Sequence, residues 1–176
     1  MSTVLILPGH GNSGTGHWQT EWERMHPECV RVMQSDWESP NCADWFERLE
    51  DVVANHPGDV VLAAHSLGCL LVAHWAERTA HRIKIKGALL VAPPDPQGAA
   101  FPSQSLNFSA YVGQKFSFPS VVVASTNDLY GSFEFATQCA HAWGSALVDV
   151  GDRGHINSDS GLGAWSEGWV LLAGWL

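Results

Sequence analysis

The chain has 176 residues, the length of one typical domain, and its 45% hydrophobic against 15% charged residues exclude the composition of a disordered protein. Nine Lys and Arg against eighteen Asp and Glu give a formal net charge of -9, which without a basic run disfavours a nucleic-acid partner. No stretch approaches the roughly 18–20 apolar residues of a membrane helix, and no basic leader is present, so we expect a cytoplasmic protein without membrane contact.

Six short apolar runs, rich in β-branched residues, alternate with amphipathic patterns along the chain. The apolar runs predict strands at 3–7, 30–34, 59–64, 87–92, 120–125 and 146–150. The amphipathic patterns predict helices at 17–26, from the N-cap Asn41 to the terminator His56-Pro57-Gly58, and at 67–80, 133–143 and 162–175. This alternation is typical of a parallel sheet, so the prediction is an α/β fold in a single domain over residues 1–176.

One long stretch, residues 93–119, lacks clear periodicity. It carries five prolines and the aromatic residues Phe101, Phe108, Tyr111, Phe116 and Phe118. Loops of this length inside a compact domain are uncommon and are usually functional, which makes 93–119 a candidate lid or pocket loop. The alternative is a surface excursion whose aromatic side chains are tucked over the edge of the sheet.

The cysteines and histidines do not show the spacing of a metal or redox site. No CxxC pair occurs among the four cysteines, and no HxH or HExxH pattern occurs among the nine histidines. We therefore expect free thiols, no metal and no cofactor. A glycine pattern at Gly9, Gly11 and Gly14 resembles a nucleotide loop, but no acidic ribose partner follows at a comparable strand end, so dinucleotide binding is disfavoured.

The third predicted strand runs directly into Ala64-His65-Ser66-Leu67-Gly68 and then a helix. A nucleophile elbow requires this strand–turn–helix context, with small residues two before and two after the serine. Ala64 departs from the usual glycine, although a methyl group meets the same steric need. Alone, the motif leaves two interpretations open: Ser66 is a nucleophile, or it is the cap of an ordinary helix.

A serine nucleophile needs an imidazole base and a carboxylate that orients it, in the chain order serine, acid, histidine. Asp128 follows the fifth predicted strand and His155 follows the sixth. Because the carboxyl ends of parallel strands share one edge of the sheet, both can converge on Ser66. The sequence therefore predicts a catalytic triad of Ser66, Asp128 and His155.

Three neighbouring residues are weaker candidates for the same roles. Asp95 could supply the acid, whereas Asp152 lies too close to His155 in one loop. His65 adjoins the nucleophile, but its side chain should leave the turn in another direction, which favours packing or supporting hydrogen bonds.

Acyl transfer also needs hydrogen-bond donors aimed at the developing oxyanion. The N–H of Leu67, at the start of the helix, is one candidate. The second should come from the glycine-rich loop after the first strand, where His10 or Gly11 would donate it.

The combination of these motifs resembles the retinoblastoma-binding-protein-9/YdeN family of small serine hydrolases. The matching segments span nearly the whole chain: Pro8-Gly9, His17-Trp18, the elbow, Ala92-Pro93, Ser125-Thr126-Asn127-Asp128, Ala142-Trp143-Gly144 and Gly154-His155-Ile156-Asn157. The resemblance implies a three-layer α/β-hydrolase core without a large cap domain, a triad at Ser66, Asp128 and His155, and ester hydrolysis. Leu129 stands where the family often has proline. The pocket-protein motif Leu-x-Cys-x-Glu is absent, so the family's partner binding is not implied.

The hydrolase arrangement predicts about six parallel strands in the order 2-1-3-4-5-6, with helices on both faces. The predicted function is a carboxylesterase-like serine hydrolase acting on a small-molecule acyl or ester substrate. The alternative is a non-catalytic binding or regulatory protein on the same scaffold, because fold alone does not decide function.

Overall fold

The computed structural model describes residues 2–109 and 113–176, and its centre is a sheet of six parallel strands. The strand order is β2-β1-β3-β4-β5-β6, which confirms the predicted order. The strands are β1 Thr3–Leu7, β2 Cys29–Arg31, β3 Val60–His65, β4 Ile85–Val91, β5 Ser120–Ala124 and β6 Ala146–Asp149.

Five helices cover both faces of the sheet and confirm the three-layer prediction. They are α1 Trp18–Met25, α2 Cys42–Asn55, α3 Leu67–Arg78, α4 Phe133–Trp143 and α5 Ser166–Ala173. Helices α2, α3 and α4 pack on one face, and α1 with α5 on the other. Because helices bury both faces, strand residues of either orientation are apolar, which is why the central strands are continuous apolar runs.

Two predicted elements are displaced or shortened in the structure. Strand β2 begins at Cys29 and lies at the sheet edge, where Val30 is about half exposed. Helix α5 begins only at Ser166, because Gly161, Gly163 and Trp165 adopt positive φ angles, which an α-helix cannot include. The predicted N-cap Asn41 is confirmed, since its side chain accepts the Ala43 N–H.

The carboxyl end of α2 is closed by a lysine from the segment before β4. The Nζ of Lys84 donates to the carbonyls of Val53, Ala54 and His56 at 2.9, 2.8 and 2.9 Å. A cation placed on these unpaired carbonyls also opposes the negative end of the helix dipole. Nearby Lys86 only makes an ion pair with an aspartate, and both side chains are about half exposed.

The described parts of the 93–119 stretch, residues 93–109 and 113–119, are anchored in the core by part of their aromatic set. Phe108, Phe116 and Phe118 are buried in the layer that holds α2, α3 and α4. Tyr111 lies outside the described residues. Among the described helices, none has the length and apolar character needed to cross a bilayer.

The reversal of strand order falls between β1 and β3, which pair directly. Open α/β sheets bind ligands in the crevice outside the carboxyl ends of such strands. The loop after β1 and the turn after β3 therefore face one another at this edge.

Candidate active site

Ser66 occupies a sharp turn between the last residue of β3 and the first of α3. Its φ and ψ angles are 54° and -122°, a region that non-glycine residues rarely adopt. The Ser66 N–H donates to the carbonyl of Val91 at 2.9 Å, and its side chain makes no capping bond to the helix. The turn therefore presents the hydroxyl outward, as a nucleophile elbow requires.

Two glycines permit the close approach of backbones around this turn. A Cβ on Gly68 would lie 2.3 Å from the carbonyl oxygen of Leu7, inside any real contact distance. A Cβ on Gly9 would lie 2.8 Å from the Cβ of Ser66. The loop after β1 thus packs directly against the elbow because both positions lack a side chain.

The structure brings the three predicted triad residues into one chain of hydrogen bonds. His155 Nε2 lies 2.9 Å from Ser66 Oγ, and His155 Nδ1 lies 2.8 and 3.0 Å from the two carboxylate oxygens of Asp128. The Asp128 side chain is 1% exposed and that of His155 is 11% exposed. With the carboxylate holding the proton on Nδ1, Nε2 can accept the hydroxyl proton of Ser66.

Neither of the two other candidate acids takes part in this set of hydrogen bonds. The carboxylate of Asp95 accepts the N–H of Gln97 within its own loop, and that of Asp152 accepts a bond from Thr126. The backbone N–H of Tyr130 donates to Asp128 Oδ1 at 2.9 Å, which helps to hold the carboxylate in place.

The loops that carry Asp128 and His155 are joined by side chains near the ends of β5 and β6. Asn127 Oδ1 accepts the N–H of Gly154 at 2.7 Å and the hydroxyl of Ser125 at 2.9 Å. The Ser125 hydroxyl in turn accepts the N–H of Arg153 at 2.9 Å. These bonds fix the acid and the base relative to each other.

Two residues outside the predicted triad hold the backbone around His155. The Nε2 of His65 donates to the His155 carbonyl at 2.8 Å, and the indole N–H of Trp18 donates to the Ile156 carbonyl at 3.0 Å. Complete burial lowers the pKa of His65 well below its ordinary value, so the ring is a neutral donor. The supporting hydrogen bond expected for His65 is therefore present. No sequence pattern pointed to the contact of Trp18.

His17 lies beside this group and was also missed. Its ring contacts that of His65 at a centroid distance of 4.7 Å and is 3% exposed. Burial, with Arg31 and His155 nearby, lowers the pKa of His17 to about 3. The predicted helix 17–26 included His17, whereas the structure makes it the N-cap of α1, a position that histidine does not usually mark.

The two candidates for the second oxyanion donor differ in the structure. The N–H of Gly11 already donates to the carbonyl of Trp37 at 2.8 Å. The backbone N–H of His10 has no such acceptor among the described residues, and its ring is held by the Glu38 carbonyl at 3.1 Å. Leu67, the other predicted donor, begins α3 directly after Ser66.

A cavity of about 370 Å³ opens over Ser66. The β1 loop, the elbow, the loop around His155 and residues from the 93–119 stretch form its wall: His10, Asn12, Gly14, His17, His65, Ser66, Ala100, Pro102, Tyr130, His155, Asn157 and Ser158. Within the described part of the chain, no group of three or more His, Cys, Asp or Glu side chains is arranged to hold a metal ion.

A six-stranded parallel sheet with a serine on an elbow at the reversal of strand order defines the class of α/β-hydrolases. The model of the serine hydrolase family matches residues 4–174, and the chain belongs to this family.

Relatives in the YdeN group agree over almost the full length. A YdeN-like hydrolase from Pectobacterium atrosepticum SCRI1043 has 32% identity and a TM-score of 0.85, with 99% of this chain and 90% of that chain covered. The hydrolase YdeN of Bacillus subtilis (strain 168) has 25% identity over 170 residues, covering 90% of this chain and 88% of that protein. The solved ydeN gene product of B. subtilis has 22% identity and a TM-score of 0.81, over 99% of this chain and 98% of that chain. The predicted resemblance to YdeN is confirmed.

Proposed function

We propose that this protein hydrolyses carboxylic esters or related acyl compounds through an acyl-enzyme intermediate on Ser66. The observation that carries the proposal is the unbroken set of hydrogen bonds from Ser66 Oγ through the His155 ring to Asp128. His155 removes the hydroxyl proton as Oγ attacks the acyl carbon, and Asp128 stabilises the imidazolium that forms. His155 then gives the proton to the leaving-group oxygen as the carbon–oxygen bond breaks.

The second half of the reaction uses the same groups. His155 removes a proton from water, the resulting hydroxide attacks the acyl carbon, and the proton returns to Ser66 Oγ as the acid product leaves. We assign the oxyanion to the backbone N–H groups of Leu67 and His10. The bond of Gly11 to Trp37 supports this choice, since an N–H already paired with a carbonyl cannot also be aimed at substrate.

The described residues of the 93–119 stretch contribute to this site as part of the pocket border. Ala100 and Pro102 lie in the cavity wall, whereas Phe108, Phe116 and Phe118 are anchored in the core. The buried aromatic side chains oppose a large opening motion of the segment, because exposing each would cost about 1.5–3 kcal/mol. We therefore propose a fixed border for the pocket.

Labelling with a fluorophosphonate probe tests the proposal. Wild type should be labelled and should hydrolyse 4-nitrophenyl acetate, and Ser66→Ala should lose both properties while it keeps its fold. Ser117→Ala is the matched control, because this exposed serine precedes β5 at the opposite edge of the sheet. It should be labelled as wild type is.

Absence of labelling in folded wild type, or equal labelling of Ser66→Ala, would contradict the proposal. The first result would favour a binding or regulatory protein on a hydrolase scaffold. The second would place the reactive serine elsewhere.

A further inference from the structure

The cavity over Ser66 is unusually polar for a site that would take an alkyl chain. Its apolar wall residues in the described chain are Ala100, Pro102 and Tyr130, with no Leu, Ile, Val, Met or Phe. Transfer of a methylene into an apolar site is favourable, but against amide and imidazole groups most of that gain is lost because their water must be displaced. The wall favours an acyl group with polar atoms of its own.

Two asparagines of the cavity wall can offer a ligand hydrogen-bond donors rather than acceptors. Asn12 Oδ1 accepts from the Arg31 guanidinium at 2.7 Å and from the Ser13 N–H at 2.8 Å. Asn157 Oδ1 accepts the N–H of Asp159 at 3.1 Å. With both carbonyl oxygens occupied, the NH₂ groups are the ends of these side chains that have no partner among the described residues.

A third donor comes from His17, whose tautomer is fixed by its neighbours. Its Nδ1 accepts the N–H of Gln19 at 3.2 Å, so the ring proton is on Nε2. Nε2 is buried and has no partner among the described residues, although His17 forms part of the cavity wall. A buried N–H without an acceptor is destabilising, and a ligand oxygen would remove that cost.

A second, more open groove of about 780 Å³ lies beyond His155 and contains the exposed Leu129. His155 borders both this groove and the polar cavity, whereas Ser66, His10 and His17 border only the polar cavity. A leaving group that extends into the groove still contacts the imidazole that protonates it, and this arrangement leaves the polar cavity to the acyl group.

We infer that the acyl group of the substrate is uncharged and carries an oxygen acceptor, which the Nε2–H of His17 binds. The inference rests on the proposed function and names its substrate class. The acyl group is uncharged because no Lys, Arg, Asp or Glu of the described chain lines the cavity. Ether, hydroxyl and amide oxygens meet the requirement, whereas plain alkanoyl groups do not.

A pair of esters with equal chain length tests this substrate class. 4-Nitrophenyl methoxyacetate and 4-nitrophenyl butyrate differ by one ether oxygen in place of a methylene. The kcat/KM value of the methoxyacetate is divided by that of the butyrate, and the result is divided by the same ratio of their hydroxide-catalysed rates. This normalised ratio corrects for the intrinsic reactivity of the ether ester. For wild type we expect this normalised ratio to exceed ten.

His17→Asn isolates the donor. An asparagine at the N-cap keeps an acceptor for the first turn of α1 but lacks the Nε2–H. The normalised ratio should fall at least threefold, whereas a merely structural role would lower both rates alike and leave the ratio unchanged. His141→Asn makes the same change at an exposed position of α4 and should keep the wild-type ratio. If His17→Asn does not fold, His17→Ser replaces it as another N-cap variant.

The outcomes separate this inference from the proposed function. A wild-type ratio near one, or a ratio unchanged by loss of the His17 ring in a folded variant, overturns the inference while Ser66-dependent hydrolysis still stands. Failure of wild type to hydrolyse either ester, together with absence of probe labelling, removes the proposed function and the inference with it.

Discussion

Mild acid should destabilise this protein through His17, and the size of the effect follows from its surroundings. Burial lowers the pKa of His17 from 6.5 to about 3 in the folded state, while the unfolded chain keeps the ordinary value. Below pH 6.5 the unfolded state therefore binds a proton at His17 that the folded state does not bind. The free energy of unfolding consequently falls as the pH falls, progressively toward pH 3. Between pH 7 and pH 5 the loss from His17 is about 2 kcal/mol. His65, also buried and neutral, acts in the same direction.

Urea unfolding followed by tryptophan fluorescence measures the loss. The free energy of unfolding should be determined at pH 7, 6 and 5 for wild type, His17→Asn and the exposed control His141→Asn. Without the buried imidazole, His17→Asn should lose about 2 kcal/mol less than wild type over this range. The control should follow wild type. Equal losses in wild type and His17→Asn would refute the assignment of the acid sensitivity to this ring.

Three further substitutions test the site and the fold. Asp128→Asn should lower kcat for 4-nitrophenyl acetate by roughly 10⁴-fold with little change in KM, because the amide no longer holds the imidazole in the productive tautomer; a loss below tenfold would contradict the assigned role. Lys84→Met should lower the free energy of unfolding by about 1–3 kcal/mol by uncapping α2, whereas Lys86→Met should change it by less than about 0.5 kcal/mol; equal effects would count against the cap. Gly68→Ala should lower the free energy of unfolding by about 3 kcal/mol, because its Cβ would clash with the strand backbone. Gly174→Ala has open space around it and should leave the free energy of unfolding unchanged in the same urea titration. A larger loss in Gly174→Ala than in Gly68→Ala would disprove the packing argument.

The sheet was predictable because its strands are buried on both faces and so appear as uninterrupted apolar runs. Strand order and the chain order of serine, acid and histidine then predict that Ser66, Asp128 and His155 lie at one edge of the sheet. Element ends were less predictable. Trp165 has a positive φ angle although it is not a glycine, so its residue type did not indicate that α5 begins after it.

The sequence favoured packing or supporting hydrogen bonds for His65, but the partners of the supporting residues could not be predicted, since they depend on the direction in which each side chain leaves the backbone. His65 reaches the carbonyl of His155 across 90 residues of sequence, and Trp18 reaches that of Ile156 across 138. The choice between His10 and Gly11 similarly depends on the position of the Trp37 carbonyl after β2, which no local pattern fixes.

The bonds that Asn127 makes between the loops after β5 and β6 hold Asp128 and His155 together as one unit. A separate bond, from the ring of His65 to the carbonyl of His155, ties that unit to the residue directly before Ser66. Two different supports therefore set the two distances of the site: Asn127 that between imidazole and carboxylate, and His65 that between imidazole and hydroxyl.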